Sequence, residues 1–349
     1  MPTPELLKWI NSVAPIRVCD NGGWTDTWFA GHGKVCNLAV YPYVEVQMRV
    51  LRRGGEHERF TIYAENYGER YRLADPKGSY DKHPLIEAAL DYMHVPDDIA
   101  IELCIHSEAP GGCSTGTSAA VSVALIGALD CLTPGRMTAH QVAQAAHRIE
   151  TELLKQECGI QDQLVSAYGG ICFIEMHQFP YASVSQIRLP DALWWELDSR
   201  LLLFYTGAAH SSSDVHRKVI RELEDAGPDC PKLAPLRSAA DRMRNALFAG
   251  DLKAVGRSMV DNTEAQRDLN PSLVGPAHQQ IIDIARTHGA IGWKVNGAGG
   301  AGGSVTILTG PDHSAKRTTV AAIEAANAGY RNIPIRLARH GLRVWESVV

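Results

Sequence analysis

The chain has 349 residues, 45% hydrophobic and 21% charged, with a formal net charge of −5. Such a length predicts about two domains, and such a balance is that of a soluble globular protein. The net acidity and the lack of any Lys/Arg run exclude general nucleic-acid binding. No stretch nears the roughly 18 apolar residues of a membrane span. The N-terminus, MPTPELLKWINSV, has neither a basic start nor an apolar core, so no signal peptide is expected. Eight cysteines (Cys19, Cys36, Cys104, Cys113, Cys131, Cys158, Cys172 and Cys230) are scattered without a CxxC pair, which fits free thiols and a cytoplasmic setting.

In chain order, Ile16-Arg17-Val18 starts a strand and Asn21-Gly22-Gly23 turns the chain. Trp24-Thr25-Asp26-Thr27 follows. An indole can stack on a sugar face and a carboxylate can accept from two vicinal hydroxyls; a buried tryptophan in an Asx-type turn explains the same residues. Val35 to Arg52 alternates as a strand, Arg59 to Tyr63 is a second, and Asn66-Tyr67-Gly68 marks a turn. A helix is predicted over 83–93 and a strand over Ile99 to Ile105.

The stretch Glu108 to Ala120, EAPGGCSTGTSAA, then leads into an apolar helix over 119–132. A helix N-terminus carries unpaired N–H groups and a positive dipole end. Gly111, Gly112 and Gly116 let backbone approach an anion, and Ser114, Thr115, Thr117 and Ser118 can cap the helix or reach a phosphate or metal. A capped turn needs one glycine and one hydroxyl, so this richer loop reads as a phosphate loop.

Thr138 to Gln156 is an amphipathic helix, with Glu150 at the edge of its apolar stripe. Asp162, between Gln161 and Gln163, is either a dry carboxylate able to act as a base or the N-cap of a short helix ahead of a strand at Ile171 to Ile174. Residues 180–190 read as a boundary. Beyond it lie a strand at Leu201 to Tyr205, a loop at 206–213 with Ser213 as a candidate cap, and helices over 214–225, 234–249, 251–262 and 276–288. The glycine run from Asn296 to Gly303 sits between Val295 and a strand at Val305 to Leu308. A helix over 314–328 and a strand at 342–345 end the chain.

Gly297, Gly299 and Gly302 match GxGxxG, but they run into a strand instead of a helix, so a hairpin is expected in place of a dinucleotide site. The 111–118 loop has no Gly-Lys-Ser/Thr, which excludes a Walker A loop. Phosphate charge then needs helix N–H groups and a divalent metal with oxygen ligands, for which Ser118 and Glu150 are the candidates.

Arg17 with GGWTDT, the central P-x-G-x-x-x-G-x-S-A-A and the late glycine run together resemble the GHMP kinases, and Gly22 to Thr27 is similar to L-fucokinase and the heptose-phosphate kinases. Gln161-Asp162-Gln163 before Gly169-Gly170, and Gly292-Trp293-Lys294 before the late glycines, look like the same branch. The resemblance implies an α+β protein with a ribosomal-protein S5-like N-terminal domain (1–182) and a ferredoxin-like C-terminal domain (183–349), with ATP and Mg²⁺ as cofactors. It implies that Pro110, Gly111, Gly112, Cys113, Ser114, Thr115, Gly116, Thr117 and Ser118 hold the ATP phosphates, and that Ser118 and Glu150 hold the metal. Asp162 and Arg17 would be catalytic. Gly23, Trp24, Thr25, Asp26, Gly297, Gly299 and Gly300 would surround a small sugar or sugar-phosphate acceptor. A kinase for a non-sugar alcohol and a silent ligand-binding homologue remain open. The adenine pocket is not marked; Tyr63, Tyr67 and Tyr80 are possible linings.

Overall fold

The computed structural model describes residues 5–54, 59–208 and 212–347. Two long strands, β1 (Leu6–Asn21) and β2 (Gly33–Arg52), pair antiparallel and carry the first sheet. They are followed by β3 (Phe60–Ala64), β4 (Glu69–Leu73), α1 (Pro84–Tyr92), β5 (Ile99–Ser107), α2 (Thr117–Leu129), α3 (Ala139–Arg148), α4 (Gln161–Tyr168), β6 (Ile171–Gln178) and β7 (Tyr181–Ile187). The first sheet runs β4-β3-β5-β2-β1, and β6 pairs with β2 and β7. Val44, Val46, Met48 and Val50 of β2 are buried beneath the helices, with Glu45 and Gln47 exposed on the other face. Helix α2 is almost wholly buried, and its small residues permit close packing: a Cβ on Gly127 would lie 2.7 Å from the Leu342 side chain.

Next come α5 (Asp191–Arg200), β8 (Leu201–Tyr205), α6 (Ser212–Leu223), α7 (Leu233–Ala249), α8 (Leu252–Leu269), α9 (Pro276–Thr287), β9 (Gly292–Val295), β10 (Ser304–Leu308), α10 (His313–Ala326) and β11 (Arg331–Ile333). The second sheet is antiparallel in the order β11-β8-β10-β9. Taken in chain order within this sheet, that is the arrangement of a ferredoxin-like unit with extra helices after its first strand. Strands β12 (Arg336–Leu337) and β13 (Arg343–Glu346) return to the first sheet, on β2 and β1.

Three stretches differ from the sequence reading. Residues 180–190 contain β7, a hairpin partner of β6 whose polar residues are exposed because it is an edge strand. The helix expected over 138–156 ends at Arg148, and Ile149–Leu153 is a π turn. The helix expected over 251–262 runs on to Leu269. The proposed cap at Ser213 lies outside the described side chains, as do Ala209, His210 and Ser211. The glycine run forms the expected hairpin loop between β9 and β10.

Candidate active site

A cavity of about 690 Å³ lies along the 110–118 loop and the start of α2, and Pro110 through Ser118 all line it. The loop is possible because Gly112, Ser114 and Gly116 take positive φ. Gly116 is the N-cap of α2 at φ 70°, and no side chain caps the helix. A Cβ on Gly116 would sit 3.1 Å from the Asp162 carboxylate, so the loop and Asp162 abut. The hydroxyls of Thr115 and Thr117 are 3.3 Å apart, and the Thr115 carbonyl accepts from the Arg17 N–H at 2.9 Å.

Arg17, on β1, reaches across to α4. Its Nε donates to Asp162 Oδ1 at 2.8 Å and its Nη2 to Oδ2 at 3.0 Å. Arg17 Nη1 also donates to the Ser114 carbonyl of the phosphate loop. The guanidinium is buried and Asp162 is one-quarter exposed toward the cavity. Asp162 occupies the first turn of α4 but does not cap it; its carboxylate faces Arg17 in a bidentate pair, which fixes orientation as well as charge. Burial works against the Arg17 charge, yet Asp162, Asp20 and Asp26 together raise its pKa above the ordinary arginine value.

Asp26 is buried, accepting from the Gln161 N–H at 3.0 Å and from Gln161 Nε2 at 3.3 Å. Burial, helped by the nearby Asp162 and Asp20, pushes its pKa up to about 6. Gly159 makes room for it, since a Cβ there would lie 2.0 Å from Asp26 Oδ2. Trp24 adopts φ 76°, unusual for a residue with a side chain, and its ring meets His216 edge-on at 4.7 Å. Burial lowers the His216 pKa below the ordinary histidine value. Three buried polar atoms of cavity-lining residues, Trp24 Nε1, His106 Nδ1 and Gln163 Oε1, have no hydrogen-bond partner among the described residues.

Glu150 sits in the π turn after α3, a geometry that often marks functional positions. The turn brings it inside: it is 4% exposed and accepts from Gln163 Nε2 at 2.8 Å. Burial, assisted by Asp162, raises its pKa to about 7. A dry carboxylate lining the same cavity as the Ser118 hydroxyl suits a hard divalent cation. Among the described residues no group of three or more His, Cys, Asp and Glu side chains could hold a metal alone. A Mg²⁺ here would take its other ligands from phosphate and water, as Mg²⁺ commonly does.

Part of the cavity lining is apolar and aromatic. Ala64, Pro84, Leu85, Ile105 and Val121 form it with Tyr67 and His83, whose rings are 5.2 Å apart. Asn66 fixes this rim by donating to the Ser107 carbonyl at 2.6 Å and accepting from its N–H at 2.8 Å. Of the three candidate tyrosines, only Tyr67 lines the cavity; the Tyr80 hydroxyl donates to Asp91.

The structure thus brings together Arg17, Trp24, Asp26, the 110–118 loop, Glu150, Asp162 and Gly297. Gly23, Thr25, Gly299 and Gly300 are not in the lining. Thr25 donates to the Gly22 carbonyl at 2.7 Å, inside the turn, and the Gly300 N–H donates to the Leu273 carbonyl at 3.0 Å. Asp20, Gly159 and His83 carry no signal in the sequence, and only the Gln-Asp-Gln spacing hints at Gln161 and Gln163.

A glycine-rich loop at a buried helix start thus has an Arg–Asp pair and a dry carboxylate beside it, the groups that phosphate handling requires. Residues 84–170 match the GHMP kinases N terminal domain. The chain is 23% identical to D-glycero-alpha-D-manno-heptose 7-phosphate kinase of Campylobacter jejuni, an alignment covering 87% of this chain and 91% of that protein. It is 26% identical to mevalonate kinase of Pyrococcus abyssi, over 82% of this chain and 79% of that protein. Its fold matches that of a D-glycero-D-manno-heptose 1-phosphate kinase from Bacteroides thetaiotaomicron with a TM-score of 0.74 at 20% identity, over 97% of this chain and 100% of that one. Galactokinase of Lactococcus lactis complexed with galactose matches with a TM-score of 0.72 at 16% identity, over 96% and 95% of the two chains. Residues 84–170 therefore carry a GHMP kinases N terminal domain, and the chain as a whole is similar in sequence to heptose-phosphate and mevalonate kinases and in fold to kinases of the same kind.

Proposed function

We propose that the protein is an ATP- and Mg²⁺-dependent kinase that phosphorylates a hydroxyl of a monosaccharide or sugar phosphate. The observation that carries this reading is the bidentate Arg17–Asp162 pair. It lies where the phosphate loop meets the pocket of Asp26 and Trp24. The apolar, aromatic part of the lining with Tyr67 and His83 suits a nucleobase, and in this reading the triphosphate lies along 110–118. Ser118 and Glu150 would hold the metal, which supplies charge neutralisation for the phosphates.

The chain's own residues then divide the work. Asp26 and Gln161 orient the acceptor's hydroxyls. Asp162 accepts the proton of the attacking hydroxyl as its oxygen bonds to the γ-phosphorus, and the bond to the β,γ-bridging oxygen breaks to leave ADP. Arg17 holds Asp162 in line and faces the charge that develops on the moving phosphoryl. Such chemistry depends on positioning and electrostatics more than on covalent help.

The test is an ADP-release screen over fucose, galactose, mannose, heptoses, uronic acids and their phosphates. Turnover with at least one is expected; no ADP with any sinks the sugar-kinase reading. The likeness to mevalonate kinases favours a second reading, a non-sugar alcohol as acceptor, so mevalonate belongs in the same screen. The Asp26 carboxylate weighs for the first, because it can accept from two adjacent hydroxyls.

A further inference from the structure

A second ion pair lies behind Arg17. Lys294 Nζ stands 3.3 Å from Asp20 Oδ1, and both side chains are 1% exposed. Lys294 also donates to Gln266 Oε1 at 3.1 Å and to the Val295 carbonyl. Asp20 accepts from the Gly297 N–H, 3.1 Å from each carboxylate oxygen. Next to it the Cys19 N–H donates to Asn296 Oδ1 at 3.0 Å. The end of β1 is therefore tied to the first turn of the late glycine loop. That turn touches the site: a Cβ on Gly297, which has φ 59°, would lie 3.0 Å from the Ser114 carbonyl and 3.1 Å from Arg17 Nη2. Asp20 itself lines the cavity, and its charge acts on both Arg17 and Lys294.

We propose that Asp20 and Lys294 are positioning residues for phosphoryl transfer. They pin the Gly297 turn beside Arg17, and each cancels the other's charge so that the guanidinium stays on Asp162. This inference rests on the kinase reading. Its physical basis is that Asp20 is a second carboxylate within range of Arg17. With Lys294 in place, the Asp20 charge is balanced and the carboxylate serves as an acceptor for Gly297. Without Lys294, a buried unpaired charge competes with Asp162 for Arg17 and repels incoming phosphate.

The test compares Lys294→Met, Asp20→Asn and the double variant with the wild-type enzyme. The Asp20→Asn side chain keeps one acceptor for the Gly297 N–H while removing the charge. The readings are kcat, KM for acceptor, the melting temperature, and ATP affinity by titration calorimetry. Lys294→Met is expected to lower kcat and ATP affinity. The double variant should recover roughly tenfold of the kcat loss, the scale of coupling between charged neighbours. A role in packing alone predicts additive losses in melting temperature with kcat unchanged in every variant that folds. Additive kcat effects, or a double variant no faster than Lys294→Met, overturn the proposal. If Lys294→Met does not fold, the double variant must match or exceed Asp20→Asn in kcat; a lower value overturns it. If the wild-type enzyme phosphorylates no acceptor, the kinase reading fails. The calorimetry then decides separately: ATP binding weakened by Lys294→Met and restored in the double variant supports the charge cancellation, and unchanged binding refutes it.

Discussion

Replacing Asp26 by asparagine should separate binding from stability. In the folded protein burial raises the Asp26 pKa from its ordinary 3.8 to about 6. The native state therefore resists ionising this group. The sign follows: stability from this group is fullest below its unfolded value and is lost as pH rises through about 6. At pH 8 the difference between those two values costs the native state roughly 3 kcal/mol. The Asp26→Asn change removes that cost but leaves only one acceptor oxygen, so one of the two Gln161 donors goes unpaired at about 1–3 kcal/mol. The two effects nearly cancel, and the variant should be about as stable as the wild type at pH 8. At pH 5 wild-type Asp26 is protonated, so the variant should be the less stable of the two. Function should move differently. A hydroxyl donating to the carboxylate makes a charge-assisted bond worth about 1.5–3 kcal/mol, so KM for the acceptor should rise roughly ten- to a hundredfold. KM for ATP should not change, because the hydrogen bonds to the Asp26 carboxylate come from Gln161 and not from the 110–118 loop or Tyr67. Steady-state kinetics with either substrate varied, and melting curves at pH 5 and 8, read all of this. An unchanged acceptor KM would refute the assignment of Asp26 to the acceptor. A wild-type-minus-variant stability difference independent of pH would refute the burial argument.

Three further outcomes are expected. Asp162→Asn keeps the shape beside Arg17 but cannot take the hydroxyl proton, so kcat should fall by roughly 10²–10⁴-fold with little change in either KM. Turnover near wild type at saturating substrates rules Asp162 out as the base. Glu150→Gln should raise the Mg²⁺ concentration needed for half-maximal rate at fixed ATP. Because burial raises the Glu150 pKa to about 7, the same change should flatten the metal-free protein's gain in melting temperature as pH falls from 8 to 6. An identical Mg²⁺ curve removes Glu150 from the metal site. Gly159→Ala would place its Cβ 2.0 Å from Asp26 Oδ2, so the carboxylate must shift. Acceptor KM should rise as for Asp26→Asn while ATP binding holds; equal loss of both would point to general disruption.

The local parts of this protein are written locally. The phosphate loop needs glycine where φ turns positive and an apolar helix immediately after, and both are visible in thirteen consecutive residues from Glu108 to Ala120. The missing lysine, which rules out Walker A, is likewise a statement about neighbours in sequence. The glycine run at 296–303 reads correctly as a hairpin because strand-forming residues flank it on both sides. Other features depend on which distant segments meet. Glu150 reads as the edge of an apolar stripe on an ideal helix; the π turn in which it is buried has no signature in hydrophobic spacing, which assumes regular geometry. Asp162 is an ordinary first-turn aspartate until β1 delivers Arg17 to it from 145 positions away. Asp20 and Lys294 are two charges far apart in the chain, and nothing near either one announces a partner. Folding removes both from water and sets them against each other, beside Arg17 and a few carbonyl and amide groups. The return of β12 and β13 to the first sheet is of the same kind, since strand pairing is set by which sheet edge lies open after the rest has packed. The sequence by itself therefore determined the glycine-rich loop leading into a buried helix and the residue types around it. The tertiary structure decided which carboxylates are dry, which are paired, and which line the cavity, because burial and long-range pairing are properties of the assembled fold.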